Sequence, residues 1–361
     1  MSGSIRLQLL LFFGLVLFTA YAGMSQGYTV EFDIRNYQSD TLIVGNYFGE
    51  KQLVKDTLIS KNKSKFVWTP EKRPEQGMYL VLLKPENTFV QFLVNDRDKK
   101  FSLNFDAKDL LNIKIKGSEE NQLFYDYLTF LKDKRVLADT LRAKIDRAKK
   151  ENKEDKVSDE QLDKLDKEVK KYQSEFIAKY PESLVTMLIR ANLDIEIPEF
   201  TGPEDTIKYR RYYYYKKHYF DNINPTHPAL IRMPFLHQKV DYYVNKLSNQ
   251  QPDSLVHTID FVLNWLEPNP EAYRYYLADF LNKYAQMKMV GYDALYVYLV
   301  DNYYTKGKAS WVNEENLKKM KENADDLRPI LIGKKMPDII TYKEDKTPVR
   351  LLDIKSPYTV V

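Results

Sequence analysis

The chain contains no cysteine in 361 residues. That excludes every disulfide, and it excludes thiol nucleophiles and thiolate metal ligands within these residues. Stability must come from buried apolar surface. Histidine is scarce as well. His218, His227, His237 and His257 are the only four, none of them spaced as a helical metal pair and none in an H-E-x-x-H segment, so they read as structural or surface residues. The glycine-dependent signatures are missing too: there is no Walker-type phosphate loop, G-x-G-x-x-G, G-x-S-x-G elbow or EF-hand loop, and nucleotide, hydrolase and calcium classes are left without a motif. Neither sign of charge dominates. Lys and Arg number 55 against 51 Asp and Glu, a formal charge of +4, too even to build the field that holds a polyanion, so no nucleic-acid partner is expected.

Long apolar runs are confined to the first residues, where Arg6 precedes Leu9–Phe18 and Ala20 and Ala22 stand in an A-x-A arrangement. This reads as a secretory signal peptide over residues 1–25, cleaved between Ala22 and Ser25. A membrane span needs about 20 apolar residues, and Thr19, Gly23, Ser25, Gln26 and Gly27 end the run earlier. The expectation is an exported, periplasmic protein with no transmembrane segment once the leader is removed.

What the chain has in quantity is apolar and charged residues, 43% and 29%, enough for a core in each of two or three domains. From Tyr28 to Lys116, short apolar–polar alternations fall at Tyr28–Ile34, Phe66–Trp68, Met78–Leu83, Thr88–Val94 and Lys99–Phe105. Turn-forming Asn, Gly and Pro separate them, the pattern of an antiparallel β-sandwich-like domain at 28–117. At Lys116-Gly117-Ser118 the period changes to about 3.6. Ser118 reads as an N-cap, Leu123, Tyr127 and Phe130 line one helical face, and Ser158 with Gln161 matches a capping box for a second helix, the two forming an antiparallel hairpin. Helices are also predicted over Pro181–Arg190, around Leu255–Leu266 and around Tyr273–Tyr284, with no strand between about 120 and 330, so an all-α domain is expected at 118–330. Residues 331–361 turn back to strands at Val349–Leu352 and Tyr358–Val361, too few residues to bury a core alone. They are expected to be the start of a third, truncated domain.

Several short segments together carry a family resemblance. In the β region they are Asp40-Thr41-Leu42, Gly45, Tyr47, Gly49, Lys55-Asp56-Thr57, Gly77-Met78-Tyr79-Leu80, Phe101-Ser102-Leu103 and Lys116–Glu119 with Asn121. In the helical region they are Tyr212–Asn222, Pro252-Asp253-Ser254, Gly291–Ala294 and Trp311. Ile332-Gly333, Met336-Pro337-Asp338, Pro348–Leu351 and Tyr358–Val361 follow. The chain resembles the exported TlpA-like thioredoxin family proteins of one Gram-negative phylum, in which an uncharacterised β domain and an uncharacterised helical domain precede the redox domain. The resemblance implies that residues 331–361 are the first strands of a thioredoxin-like α/β domain, stopping short of its W-x-x-x-C-x-x-C motif. It further implies a parent thiol–disulfide oxidoreductase acting on a protein thiol or disulfide client, with these residues as its non-catalytic part. No catalytic residue, cofactor or metal is assigned to the chain itself. A periplasmic binding or envelope-assembly module without redox activity is the alternative.

Two groups of residues stand out as candidate sites. Tyr212, Tyr215, His218, Tyr219 and Asp221 belong to an aromatic cluster that reads first as packing between helices, with a stacking surface for a sugar, an aromatic ligand or a partner as the second reading. Thr41, Thr57, Thr140, Thr206 and Ser254 each sit in a D-[ST]-aliphatic triplet, similar to the O-glycosylation sequon used on exported proteins of the same bacterial group.

Overall fold

The computed structural model describes residues 27–60, 62–335 and 337–358. The signal-peptide reading at 1–25 and the final strand residues 359–361 lie outside them.

Two four-stranded sheets make the N-terminal unit. The first has the order β4-β1-β7-β8, from β1 (Thr29–Arg35), β4 (Lys65–Trp68), β7 (Lys100–Asp106) and β8 (Asp109–Lys116). The second has the order β3-β2-β5-β6, from β2 (Thr41–Phe48), β3 (Lys51–Ile59), β5 (Gly77–Leu83) and β6 (Thr88–Val94). Alternation decides the inward face: Val30, Phe32 and Ile34 of β1 and Phe101, Leu103 and Phe105 of β7 are all buried, as period-two side chains require. The two sheets meet through aromatic rings, with Trp68 of the first 5.6 Å from Tyr79 of the second and Phe32 5.7 Å from Phe92. The sandwich is therefore as expected in kind, with one refinement: β1 and β7 pair in parallel, Phe32 opposite Leu103, because the second sheet is built in the long connection between them.

Strand β5 is buried at every residue but Leu82, since β2 and β5 also lie against the short 3-10 turn Leu230–Arg232 of the helical unit. A strand covered on both sides reads as a continuous apolar run.

Helix α1 (Glu119–Lys150) starts at Ser118, whose hydroxyl accepts from the Asn121 amide at 3.1 Å. It forms the expected hairpin with α2 (Lys156–Lys179). The cap of α2 differs from the expectation. Asp155 accepts from the Ser158 amide and Ser158 is buried inside the first turn, because a carboxylate three residues earlier satisfies the same orphan amide. Then follow α3 (Leu184–Ala191), α4 (Glu204–Lys217), α5 (Pro234–Asn245), α6 (Pro252–Leu266), α7 (Pro270–Gln286), α8 (Asp293–Leu299), which continues as a π-helical turn Val300–Tyr304, and α9 (Glu314–Leu327). No described residue between Glu119 and Leu327 is in a strand, and no helix of the described residues is long and apolar enough to cross a membrane. The chain is thus a multidomain α and β protein, with the sandwich first and the helices after it.

The last strands, β9 (Ile340–Tyr342) and β10 (Pro348–Arg350), form a two-stranded ribbon. The expected strand Val349–Leu352 is cut short, because Leu351–Asp353 turn into a 3-10 helix. Tyr358 carries no strand pairing.

Candidate functional site

The aromatic cluster opens on α4, a helix with no buried residue. Four consecutive tyrosines circle its axis and give it no single apolar face. Tyr212 turns toward the body of the helical unit and donates to the Leu247 carbonyl at 2.6 Å. Tyr215 lies edge-on to Tyr219 at 5.6 Å. Tyr219 is buried, stacks on Tyr242 and receives the Lys239 ammonium 4.8 Å from its ring centre. Burial raises the hydroxyl of the neighbouring Tyr243 to about 12 and lowers the ammonium groups of Lys216 and Lys239. His218 sits apart at the C-terminus of α4, over the Tyr214 ring, its Nδ1 2.5 Å from the Asp221 carboxylate. The structure therefore brings Tyr215 and Tyr219 together and gives Tyr212 and the His218–Asp221 pair separate surroundings. Tyr209, Tyr212 and Tyr213 each keep part of the ring exposed on α4.

The hydroxyls of the D-[ST]-aliphatic triplets are scattered. Thr57 on β3 and Thr140 on α1 are exposed, the latter donating to the Val136 carbonyl, while Thr41, Thr206 and Ser254 are half-buried. His227 is held by burial below the ordinary imidazole value, with its Nδ1 accepting from the Ala229 amide. His257 is exposed. Among the described residues no group of three or more His, Asp or Glu is placed to hold a metal ion.

The strongest chemistry lies where the two units join. The turn between β2 and β3 projects into the helices: the Gly49 amide donates to the Ile231 carbonyl at 2.8 Å, and the Glu50 amide donates to the Tyr275 hydroxyl at 2.9 Å. Gly49 needs to be glycine, for its φ is +58° and a Cβ would overlap the Tyr275 ring. Beside this turn Arg232, 5% exposed, makes a two-pronged ion pair with Glu271 at 2.5 and 2.8 Å. The guanidinium also lies 5.6 Å from the Phe48 ring centre. The fork matches a carboxylate and ties the 3-10 turn Leu230–Arg232 to the start of α7.

A crevice of about 310 Å³ opens next to this joint. Residues four apart on α5 (His237, Asp241, Asn245) and on α7 (Tyr276 with Phe280, Asp279 with Lys283) present one face each to it, and Glu50 closes the third side. Burial raises the Asp279 carboxyl above the ordinary carboxylate range and lowers the Lys283 ammonium, which donates to Asn245 Oδ1 at 2.7 Å. The Tyr276 hydroxyl and His237 Nδ1 are buried without a hydrogen-bond partner among the described residues. Glu50, Tyr276 and Asp279 carry no sequence signal, since residues more than 200 positions apart in no motif meet only through the docking of one hairpin turn. A larger groove, about 670 Å³, runs between α1 and α2, but it is lined by the half-buried Lys134 and by the largely exposed charged side chains of Arg135, Asp139 and Arg142.

Fold and joint define a protein in which a β-sandwich is docked onto a helical unit through a shared apolar core and the two hydrogen bonds of the Gly49–Glu50 turn. Residues 147–328, half of the chain, match the family model described as a domain of unknown function (DUF5106), and the chain belongs to that family. Residues 28–124 match a second model, a domain of unknown function (DUF4369). That match runs past β8 into the first turn of α1, so it includes Ser118 and Asn121. No curated protein and no solved structure matches the chain.

Proposed function

We propose that the sandwich and the helical unit are non-catalytic modules of an exported thioredoxin-like thiol–disulfide oxidoreductase, holding its redox domain or presenting a protein thiol client to it. The observation that carries this reading is the β9–β10 ribbon. Ile340, Tyr342, Leu352 and Ile354 are apolar and exposed, and Tyr358 is 90% exposed. Side chains of this kind belong against further strands and helices of an α/β domain. The family resemblance read from Ile332-Gly333 and Pro348–Leu351 points the same way. With no cysteine in the 361 residues, the chain alone has no thiol exchange to offer. The test is to read the coding sequence past the Val361 codon and assay the expressed product for disulfide reduction. A C-x-x-C pair whose replacement by serine abolishes the activity supports the proposal. A stop codon directly after Val361, or a following domain without cysteine, overturns it.

The exported location rests on residues 1–25, and N-terminal sequencing of protein from the cell envelope tests it: a first residue between Gly23 and Gln26 is expected. A second reading, a binding or envelope-assembly module, is favoured by one feature. Tyr209, Tyr212 and Tyr213 form an exposed aromatic face on a helix that buries none of its own residues, as interfaces enriched in tyrosine do.

A further inference from the structure

The far part of the α1–α2 hairpin is a helix pair with little to bury. Beyond Tyr127, α1 buries only Ala138, Leu141 and Ile145, and before Phe176, α2 buries only Ser158 and Leu165. The apolar residues among these stand outside the core shared by the sandwich and the helical unit. A helix pair makes one layer, and a stable arrangement of helices sets a second layer against it. The groove of about 670 Å³ marks where that layer is missing. Its floor is apolar: Leu131, Ala138, Leu162, Leu165 and Val169 line it and are buried or half-buried. Its two walls carry opposite charge. Lys134, Arg135 and Arg142 outnumber Asp139 on α1, whereas α2 presents Asp163 and Asp166 and no cation. Arg135 and Arg142 lean on Asp139, and Asp166 on Lys170, each on its own helix. Exposed pairs of this kind are worth little and exchange readily for others.

We propose that this groove is a dimer interface whose occupant is the hairpin of a second copy of the chain, the four helices packing antiparallel around a two-fold axis that runs along the hairpin. Rotation about such an axis keeps each residue at its own height and sets α1 of one copy beside α2 of the other. The bridge from Lys134 to Glu168, 2.8 Å long, fixes the heights of the two helices relative to each other. Arg135 then comes level, to within a residue, with Asp166 of the second copy, and Arg142 lies about one turn from its Asp163. Basic wall meets acidic wall twice. A two-fold axis across the hairpin would instead set α1 on α1 and Arg135 and Arg142 among their like, which opposite-charge matching selects against. The small side chain of Ala138 leaves room for the partner's Leu162 and Val169 rows to close over the floor. The inference is independent of the redox reading, since it concerns residues 131–169 alone.

The test is analytical ultracentrifugation of the full chain. A reversible monomer–dimer equilibrium is expected at micromolar concentrations, at least tenfold weaker in the double variant Arg135→Glu/Arg142→Glu and in the double variant Asp163→Lys/Asp166→Lys. Mixing the two variants is expected to restore association, because each reversed wall then faces its complement. All four positions are exposed, so the substitutions leave the floor of the groove untouched. The absence of cysteine allows a second readout. A chain carrying Arg135→Cys, mixed with one carrying Asp166→Cys and oxidised, is expected to give a disulfide-linked pair in greater yield than either chain alone. A monomer at every concentration, a dimer that both double variants leave unchanged, a mixture that fails to associate, or no excess of the mixed disulfide overturns the proposal.

Discussion

The two β structures of the chain treat their apolar residues in opposite ways. The sandwich closes Trp68, Phe32, Phe92 and Phe101 between its sheets and adds the helical unit outside β5. The ribbon β9–β10 covers nothing: no described residue between Asp325 and Tyr358 is buried. Both are strands with alternating sequence, so alternation alone does not make a core. What distinguishes them is a second layer, which the first acquires from another sheet and from Leu230–Arg232 and the second does not have.

Perturbing the sandwich gives the largest expected effect. Trp68→Ala removes the ring that touches Tyr28, Tyr79 and Phe92, and a loss of about 3–5 kcal/mol is expected in urea unfolding. Next comes the joint. Glu271→Ala leaves the buried Arg232 guanidinium without its carboxylate and costs about 3 kcal/mol. Arg232→Met leaves Glu271, whose side chain is 44% exposed, to be hydrated and costs about 1 kcal/mol. Equal losses from the two would mean that the pair is not buried on one side only.

Smaller effects sharpen the comparison at the edges. The Asn121 side chain accepts from the Leu93 amide at 2.7 Å and donates to the Leu93 carbonyl at 2.8 Å, while the Tyr125 hydroxyl donates to the Gln91 carbonyl. These side chains stand in for a missing strand beside β6, the edge of its sheet. Asn121→Ala is expected to cost about 2 kcal/mol and to speed amide exchange at Leu93 above that at Val81, a contrast that hydrogen-exchange mass spectrometry reads.

Asp279→Asn is expected to stabilise slightly. Its raised carboxyl keeps a proton in the folded chain at a pH where the unfolded chain has lost it, so the wild type loses stability as pH rises from 3.8 through the raised value. The variant gains no more than about 1 kcal/mol at pH 7, after allowance for solvent at the mouth of the crevice, and that gain disappears below pH 3.8. Urea midpoints at the two pH values check it. Removing residues 331–361 is expected to move the thermal midpoint least, within about 2 °C. A larger drop would show that the ribbon is held more firmly than its exposure indicates.

Legibility followed the same division. Strands with one wet and one dry face, such as Thr29–Arg35, announced themselves by alternation. Lys51–Ile59 did not, because it is an edge strand exposed at nearly every residue. Thr41–Phe48 was obscured by Gly45, where the register with β3 shifts. Long amphipathic helices were plain. Helix α4 gave no apolar stripe because it buries nothing, and the Asn121 clamp gave no signal of its own because it depends on a strand 28 residues away. The Arg232–Glu271 pair joins residues 39 apart in no motif, and the crevice is made by the docking of one unit on the other, so neither was visible.

The Asn121 clamp also sets an order in time. During synthesis Leu93 emerges 28 residues before Asn121, an interval on the order of 1–6 s at ordinary elongation rates. Throughout it the growing chain carries a bare backbone edge on an otherwise pairable sheet. Cutting the chain after β8 would leave all eight strands of the sandwich and make that interval permanent, so the smallest unit that folds with the β6 edge covered ends not at the last strand but inside the first helix.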